Sequence, residues 1–138
     1  MIVRKLVDIG KTGQSVRTDN WTSRRLLLHS DGMGFSLHDT VIHGGTSTRM
    51  WYRHHVEAVY CIEGRGSIKV LATDEKFLIE PGTLYALDGN EEHILTAETA
   101  MRMVCVFNPA LSGSEVHDED GAYPPPRAVE AQEGNCLD

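Results

Sequence analysis

Short apolar stretches alternate with polar turns along most of this chain. The stretches recur at roughly 8–12-residue spacing between glycines and prolines, a pattern typical of an all-β sandwich or barrel. No stretch keeps the repeat of about 3.6 residues that marks an amphipathic helix, so we expect only a few short helical turns. The strand-like stretches are residues 22–29, 34–42, 50–52, 57–62, 67–71, 77–79, 84–87, 93–97 and 101–107.

The length and the composition of the C-terminal part predict the domain organisation. A chain of 138 residues favours a single domain with a substantial core. We expect residues 1–121 to form the barrel together with a closing C-terminal segment. The chain becomes polar and acidic after Asn108, and three consecutive prolines begin at Pro124. Residues 122–138 are therefore predicted to be a proline-rich, flexible tail.

The charge balance narrows the choice of partners. There are 13 basic and 20 acidic residues, which give a net charge of −7. This balance disfavours nucleic acid and anionic membranes as partners. We find neither a signal-peptide pattern nor an apolar run long enough to span a membrane. The three cysteines form no recognisable disulfide framework, so we expect a cytoplasmic protein.

Glu57 is followed after six residues by Gly64, and this spacing resembles the second half of the first metal-binding motif of cupin barrels. The two positions where that motif carries histidines hold Met50 and Tyr52 instead. The resemblance implies a single-domain jelly-roll β-barrel of the cupin type. It also implies that a metal, if present, would have an unusual set of ligands.

A second cupin-like motif places Tyr85 three residues after the Pro81-Gly82 turn, at a position that usually holds histidine. His93 follows eight residues later, far enough to return on the next strand. Glu57, Tyr85 and His93 would then offer two oxygen donors and one nitrogen donor, a set that suits a Lewis-acidic divalent metal such as iron. The alternative is a rim ion pair at Glu57, a core tyrosine and a surface histidine.

Trp21 and Arg25 lie on the same face of a predicted strand, because their separation is even. An aromatic ring beside a guanidinium group is a good receptor for a small carboxylate ligand. The alternative is an arginine stem packed on a surface tryptophan.

Tyr52 and two adjacent histidines precede Glu57 and are candidates for proton transfer. Tyr52 and His55 flank the path to this carboxylate and could exchange protons with a bound molecule. His54 and His55 are adjacent, so in a strand only one of them can face inward. We interpret His38 and His43 as structural or exposed residues.

The last predicted strand and the segment after it hold two further candidates. Cys105 and Phe107 share strand parity with Met103 and could line a cavity, although core packing explains the same pattern. Glu115 and His117 lie two residues apart on the closing segment and could act as acid and base. The alternative for that pair is a solvated acidic loop.

Taken together, these residues resemble the ectoine synthase family of the cupin superfamily. Several blocks in order support the resemblance, which covers about residues 1–123. His38, His43, the His54-His55 pair and the triple proline depart from what the family leads us to expect. The blocks are NWTSRRLLL (20–28), DGMGFS (31–36), EAVYCIEG (57–64), PGTLYALD (81–88), VCVFNP (104–109) and EVHDEDGAY (115–123).

The resemblance implies a lyase that closes N-γ-acetyl-L-2,4-diaminobutyrate to the compatible solute ectoine and releases water. It implies iron(II) as cofactor, with zinc or another divalent metal possible in purified protein, and a cytoplasmic homodimer. The metal ligands carry over to Glu57, Tyr85 and His93. The remaining roles, as hypotheses, are substrate binding by Trp21, Arg25, Thr40, Cys105 and Phe107, and catalysis by Tyr52, His55, Glu115 and His117.

Two alternatives remain open at this point. One is a different metal-dependent cupin lyase or oxygenase that acts on a small zwitterion. The other is a non-catalytic cupin that binds ectoine or a similar solute.

Overall fold

The computed structural model describes residues 1–10 and 14–125. These residues form ten strands, one α-helical turn and one 3₁₀ turn at His29–Asp31. In chain order the helix is α1 (Leu6–Ile9) and the strands are β1 (Ser15–Arg17), β2 (Trp21–Leu27), β3 (Ser36–Ile42), β4 (Ser47–Met50), β5 (Val56–Glu63), β6 (Gly66–Val70), β7 (Lys76–Ile79), β8 (Leu84–Leu87), β9 (His93–Ala97) and β10 (Met101–Asn108).

Two antiparallel sheets make up the fold. One has six strands in the order β1-β2-β3-β10-β5-β8, and the other has four in the order β4-β9-β6-β7. Consecutive strands often lie in different sheets, so the chain crosses repeatedly between the two layers. The predicted all-β jelly-roll with a few short helical turns is confirmed.

Alternating burial along the strands shows where the core lies. Trp21, Ser23 and Arg25 are buried on β2, with partly exposed residues between them. Met103, Cys105 and Phe107 are buried in the same way on β10, with Met101 at its start. Because side chains of a strand point alternately to opposite faces, one face of each strand contributes to the interior.

Most predicted strands are found, and the exceptions have local causes. Strands β8 and β9 have the predicted ends. The strand predicted at residues 50–52 is wrong, because β4 ends at Met50. The amide of the next residue, Trp51, donates to the carbonyl of Gly121 at 2.9 Å. Strand β1 and helix α1 were not predicted, since three or four residues carry too little periodicity.

The closing segment (residues 109–123) packs across the barrel. The predicted tail begins at Ala122, but the exposed fractions of Ala122 and Tyr123 are 0% and 4%. The amide of Asp118 donates to the carbonyl of Ala122 at 2.8 Å, which folds this end back on itself. These two residues therefore belong to the barrel. Most of the predicted tail, residues 126–138, lies outside the described residues.

No helix in the described part of the chain has the length and apolar character needed to cross a membrane.

Candidate active site

A narrow cavity of about 30 Å³ lies between the two sheets, under the closing segment. Both sheets and the closing segment supply its walls, which are mostly apolar and aromatic. A site of this kind excludes water and leaves a few polar groups to orient a ligand. The lining residues are Trp21, Ser23, His38, Thr40, Ile42, Met50, Tyr52, Glu57, Val59, Tyr85, Leu95, Met103, Cys105, Phe107, His117 and Tyr123.

Two of the predicted metal ligands are diagonal neighbours on one sheet. Val59 on β5 is opposite Tyr85 on β8, and Glu57 is opposite Leu87. Glu57 and Tyr85 therefore share a face at a separation that long side chains can bridge. Both residues line the cavity.

The third predicted ligand, His93, lies on the other sheet. It is opposite Met50 on β4 and is fully buried. Its Nδ1 is 2.9 Å from the carbonyl oxygen of Glu91, and since a carbonyl can only accept, Nδ1 carries the proton. The Nε2 atom of His93 is then a buried lone pair, and it has no hydrogen-bond partner among the described residues.

Of the two oxygen donors, Glu57 is buried and Tyr85 is partly buried against the core. Burial raises the pKa of Glu57 to about 8, against a lowering by its hydrogen bond with Cys105. Burial, together with Glu57, raises the pKa of Tyr85 well above its ordinary value. A divalent cation would compensate both anionic forms and would use the free lone pair of His93, so this donor set fits a metal.

Within residues 1–10 and 14–125, no three His, Cys, Asp or Glu side chains are grouped so that they could hold a metal. A metal bound in this cavity by three protein side chains would therefore need a ligand of another type. Tyr85, which shares a sheet face with Glu57, supplies a phenol oxygen there.

Tyr52 and His117 form a polar pair at the end of the cavity that the closing segment covers. The Tyr52 hydroxyl and His117 Nε2 lie 2.8 Å apart. The ring of Tyr52 stacks on Tyr123 with centroids 5.3 Å apart, and Trp21 packs against the His117 ring at 5.2 Å. Burial and the nearby charge of Arg25 lower the pKa of His117 to about 4, so this imidazole is neutral at pH 7 and shares a hydrogen bond with the Tyr52 hydroxyl.

Arg25 is fully buried but does not line the cavity. Its guanidinium group donates to the carbonyl oxygens of Gly113 at 2.9 Å and Glu115 at 2.7 Å. The prediction placed this group on a substrate carboxylate. In the structure it instead holds the closing segment.

Glu115 also does not line the cavity. Its carboxylate accepts hydrogen bonds from the amides of Ser112 at 2.6 Å and Gly113 at 2.7 Å, and it lies 3.7 Å from the Arg25 guanidinium. Burial acts to raise the pKa of Glu115, but these hydrogen bonds and the charge of Arg25 outweigh it and lower the pKa. The structure therefore places Glu115 as an ionised residue that closes a turn of the segment.

His55 is buried beside the cavity and not on its wall. Its ring meets Phe107 edge-on at 5.9 Å, and its Nδ1 has no hydrogen-bond partner among the described residues. Burial, then the nearby His54, lower the pKa of His55. One histidine of this adjacent pair faces inward and His54 is exposed, although both precede β5 and the strand alternation of the prediction does not apply to them.

Three polar lining residues were not predicted as site residues: Ser23, His38 and Tyr123. Strand parity could have found the first two, because Ser23 lies between Trp21 and Arg25 and His38 shares a face with Thr40. Tyr123 had no such signal, since it belongs to the irregular closing segment. Trp21, Thr40, Tyr52, Cys105, Phe107 and His117 line the cavity together with Glu57 and Tyr85.

Comparison with known proteins places the chain in a family. Residues 1–127 match the family described as ectoine synthase. The L-ectoine synthase of Desulfatibacillum aliphaticivorans is 58% identical over 126 residues, which cover 90% of this chain and 97% of that protein.

Solved structures agree with this. The crystal structure of ectoine synthase from P. lautus superposes with a TM-score of 0.82 at 60% identity, covering 88% of this chain and 87% of that one. A Cupin_2 domain of a transcriptional regulator from Enterobacter cloacae, 13% identical with a TM-score of 0.55, covers 65% of this chain and 97% of that one and shares the fold alone. The resemblance noted in the sequence is confirmed, and the chain belongs to the ectoine synthase family.

Proposed function

We propose that this protein is a metal-dependent cyclase that converts N-γ-acetyl-L-2,4-diaminobutyrate to ectoine with release of water. Membership of the ectoine synthase family over residues 1–127 is the observation that carries this proposal. The cavity is lined by the Glu57 carboxyl and the Tyr85 phenol, and the imidazole of His93 is buried on the facing sheet, which supports it.

In this proposal Glu57, Tyr85 and His93 hold the metal, and iron(II) is the metal that we propose. The Nε2 of His93, which has no partner among the described residues, and the raised pKa values of Glu57 and Tyr85, whose anionic forms a cation would stabilise, support this assignment. When bound, the metal would supply a Lewis acid that polarises the acetamide carbonyl oxygen. Zinc or another divalent metal could take this position in purified protein.

The reaction joins the α-amino nitrogen to the acetamide carbonyl carbon of the same molecule, and the carbonyl oxygen leaves as water. The substrate must be folded so that the two atoms meet, which requires side chains that hold it in this conformation. We assign this task to Trp21, Thr40, Cys105 and Phe107. Their mostly apolar surroundings also exclude bulk water, which protects the acetamide group and the product from hydrolysis.

The α-amino nitrogen must lose two protons, and the carbonyl oxygen must gain two to leave as water. The site therefore needs groups that transfer protons. Tyr52 and His117 are our candidates, because the phenol and the neutral imidazole are hydrogen-bonded at 2.8 Å and each could exchange a proton with a bound substrate. His55 is adjacent but behind the wall, and we assign it a supporting role in proton transfer.

Glu115 remains our candidate to anchor or deprotonate the α-amino group, and Arg25 remains our candidate for the substrate carboxylate. Both are occupied by the closing segment in this structure. They can reach substrate only if residues 111–117 rearrange on binding, which is part of the proposal.

Turnover by purified protein tests this function. Protein prepared without oxygen and stripped of metal should give no ectoine from N-γ-acetyl-L-2,4-diaminobutyrate, and reloading with iron(II) should restore product, followed by NMR. The control is metal-stripped protein reloaded with Mg²⁺, which prefers oxygen donors alone. A folded, iron-loaded sample that forms no ectoine would overturn the proposal.

We further propose that the enzyme is a cytoplasmic homodimer. Cys61 and Cys105 are free thiols, which fits a reducing compartment. Leu84 and Tyr60 form a cross-strand pair on the outer face of the six-stranded sheet, at its β8 edge, and are 63% and 46% exposed. An exposed apolar pair on an edge strand is a typical site of association with a second copy.

Light scattering after size-exclusion chromatography tests the dimer. We expect twice the mass of one chain for the native protein and a single-chain mass for Leu84→Lys, because a charge opposes burial of that edge. Met33→Lys is the matched control, since Met33 is 52% exposed and lies outside the strands. A native protein that elutes as a single chain would contradict the dimer.

A further inference from the structure

His38 lies at the centre of a buried hydrogen-bond network between the cavity and the closing segment. It is 1% exposed, and each of its ring nitrogens has a serine partner. Nδ1 is 3.1 Å from Ser23 Oγ, and Nε2 is 3.0 Å from Ser36 Oγ. Both nitrogens of this buried imidazole are therefore satisfied, whereas His55 Nδ1 and His93 Nε2 have no partner in the described part of the chain.

Each serine extends the network to the closing segment. On one side, Ser36 Oγ accepts a hydrogen bond from the amide of Leu111 at 3.0 Å. On the other side, Ser23 Oγ accepts one from Arg25 Nε at 3.2 Å. Arg25 in turn donates to the carbonyl oxygens of Gly113 and Glu115. The network that starts at His38 thus reaches the closing segment at two places.

The protonation state of His38 suits this position. Burial, then the charge of Arg25, lower its pKa to about 3, so the ring is neutral at pH 7. A neutral imidazole has one donor and one acceptor nitrogen, and a serine hydroxyl can take either role. Either tautomer therefore fits between Ser23 and Ser36, and neither leaves a buried polar atom unpaired.

His38 also belongs to the cavity wall, where its ring contacts Phe107 with centroids 5.3 Å apart. His38 therefore lines the cavity and also belongs to the hydrogen-bond network that holds the closing segment. The closing segment carries Glu115 and His117, and His117 is hydrogen-bonded to Tyr52.

We infer that His38 is a positioning residue: through Ser36 and Ser23–Arg25 it fixes the closing segment over the cavity, and so sets the location of Glu115 and His117. The consequence for turnover rests on the proposed function, but the anchoring itself does not. A histidine that merely filled the core would be replaceable by an apolar side chain, whereas an anchor requires its two nitrogens.

Hydrogen–deuterium exchange of His38→Leu tests the anchoring. Leucine keeps the apolar bulk but leaves Ser23 and Ser36 without their bridge. We expect residues 111–117 to exchange about tenfold faster, as the loss of one net hydrogen bond implies, while β5 and β10 exchange as in the native protein. His38→Gln retains a donor and an acceptor and should recover part of the protection.

His43→Leu is the matched control. His43 also bridges two groups with its ring nitrogens, Thr22 Oγ1 and the carbonyl of Asp19, both at 2.8 Å. Neither partner touches the closing segment in the network described above, so residues 111–117 should keep native exchange in this variant. Should His38→Leu fail to fold, Ser36→Ala removes the acceptor of the Leu111 amide and should increase exchange of that amide.

Native exchange of residues 111–117 in His38→Leu would overturn the inference, as would equally fast exchange in His38→Gln or a uniform increase across the barrel strands. Turnover adds a separate readout. If the proposed function holds, His38→Leu should lower kcat while metal content stays native. If the native protein shows no cyclase activity, the exchange result still decides whether His38 anchors the segment.

Discussion

Replacing His93 with alanine is expected to abolish metal binding and to lower iron-dependent cyclisation by more than about 100-fold. The reason is the imidazole lone pair, which is buried in the barrel with no other partner among the described residues. Glu57 and Tyr85 would remain as two oxygen donors on one sheet, too few to retain the metal. Metal content by mass spectrometry and turnover by NMR measure the two effects.

His54→Ala is the control, because His54 is an exposed histidine in the same protein. It should bind metal and turn over substrate as the native enzyme does. Circular dichroism establishes that His93→Ala remains folded. A folded His93→Ala protein that retains a full equivalent of iron would remove His93 from the proposed metal site.

Replacing Gly64 with alanine is expected to lower the free energy of unfolding by about 3 kcal/mol or more. Gly64 has φ +91°, and a Cβ there would overlap the carbonyl oxygen of Ala100 and lie 2.7 Å from Met101 Cα. Backbone atoms cannot rotate away as a side chain can, so the turn between β5 and β6 must shift. Urea denaturation measures the loss as a change in midpoint.

Gly45→Ala separates strain from overlap. Gly45 has a similar φ of +79°, but nothing lies within 4 Å of an added Cβ. This variant should lose only the cost of the left-handed conformation, about 1 kcal/mol. Equal losses for Gly45→Ala and Gly64→Ala would show that the contact with Ala100 has no energetic weight.

The features that the sequence predicted best depend on residues that are close together along the chain. Strands β8 and β9 were placed correctly because turn residues bound them: the Pro81-Gly82 pair precedes β8, and Gly89 lies between the two strands. The cavity-facing positions of Glu57 and Tyr85 follow from motif spacing and strand parity. The glycine of the first motif also has a clear reason, since Gly64 allows the close approach to Ala100.

Features that depend on distant partners were not predictable in this way. Parity placed Arg25 on the inner face, but its acceptors, Gly113 and Glu115, lie 88 and 90 residues away in sequence. Nothing local indicates which carbonyls an irregular segment will present to a buried cation. Similarly, the pattern around Tyr123 is that of a tail, and ring contacts with Tyr52, Phe107 and His117 make it part of the wall.

The burial of Arg25 has a consequence for how the cavity opens. The guanidinium group has no solvent exposure, and the closing segment supplies two carbonyl oxygens and the carboxylate of Glu115 to balance its charge. Lifting the closing segment therefore strands a cation in an apolar interior, at a cost of several kcal/mol, unless water or an anion replaces the lost partners. An incoming molecule with its own carboxylate can offset that cost, whereas a neutral molecule of the same size cannot. If the closing segment lifts on binding, as proposed, it would therefore admit an anionic ligand more readily than a neutral one.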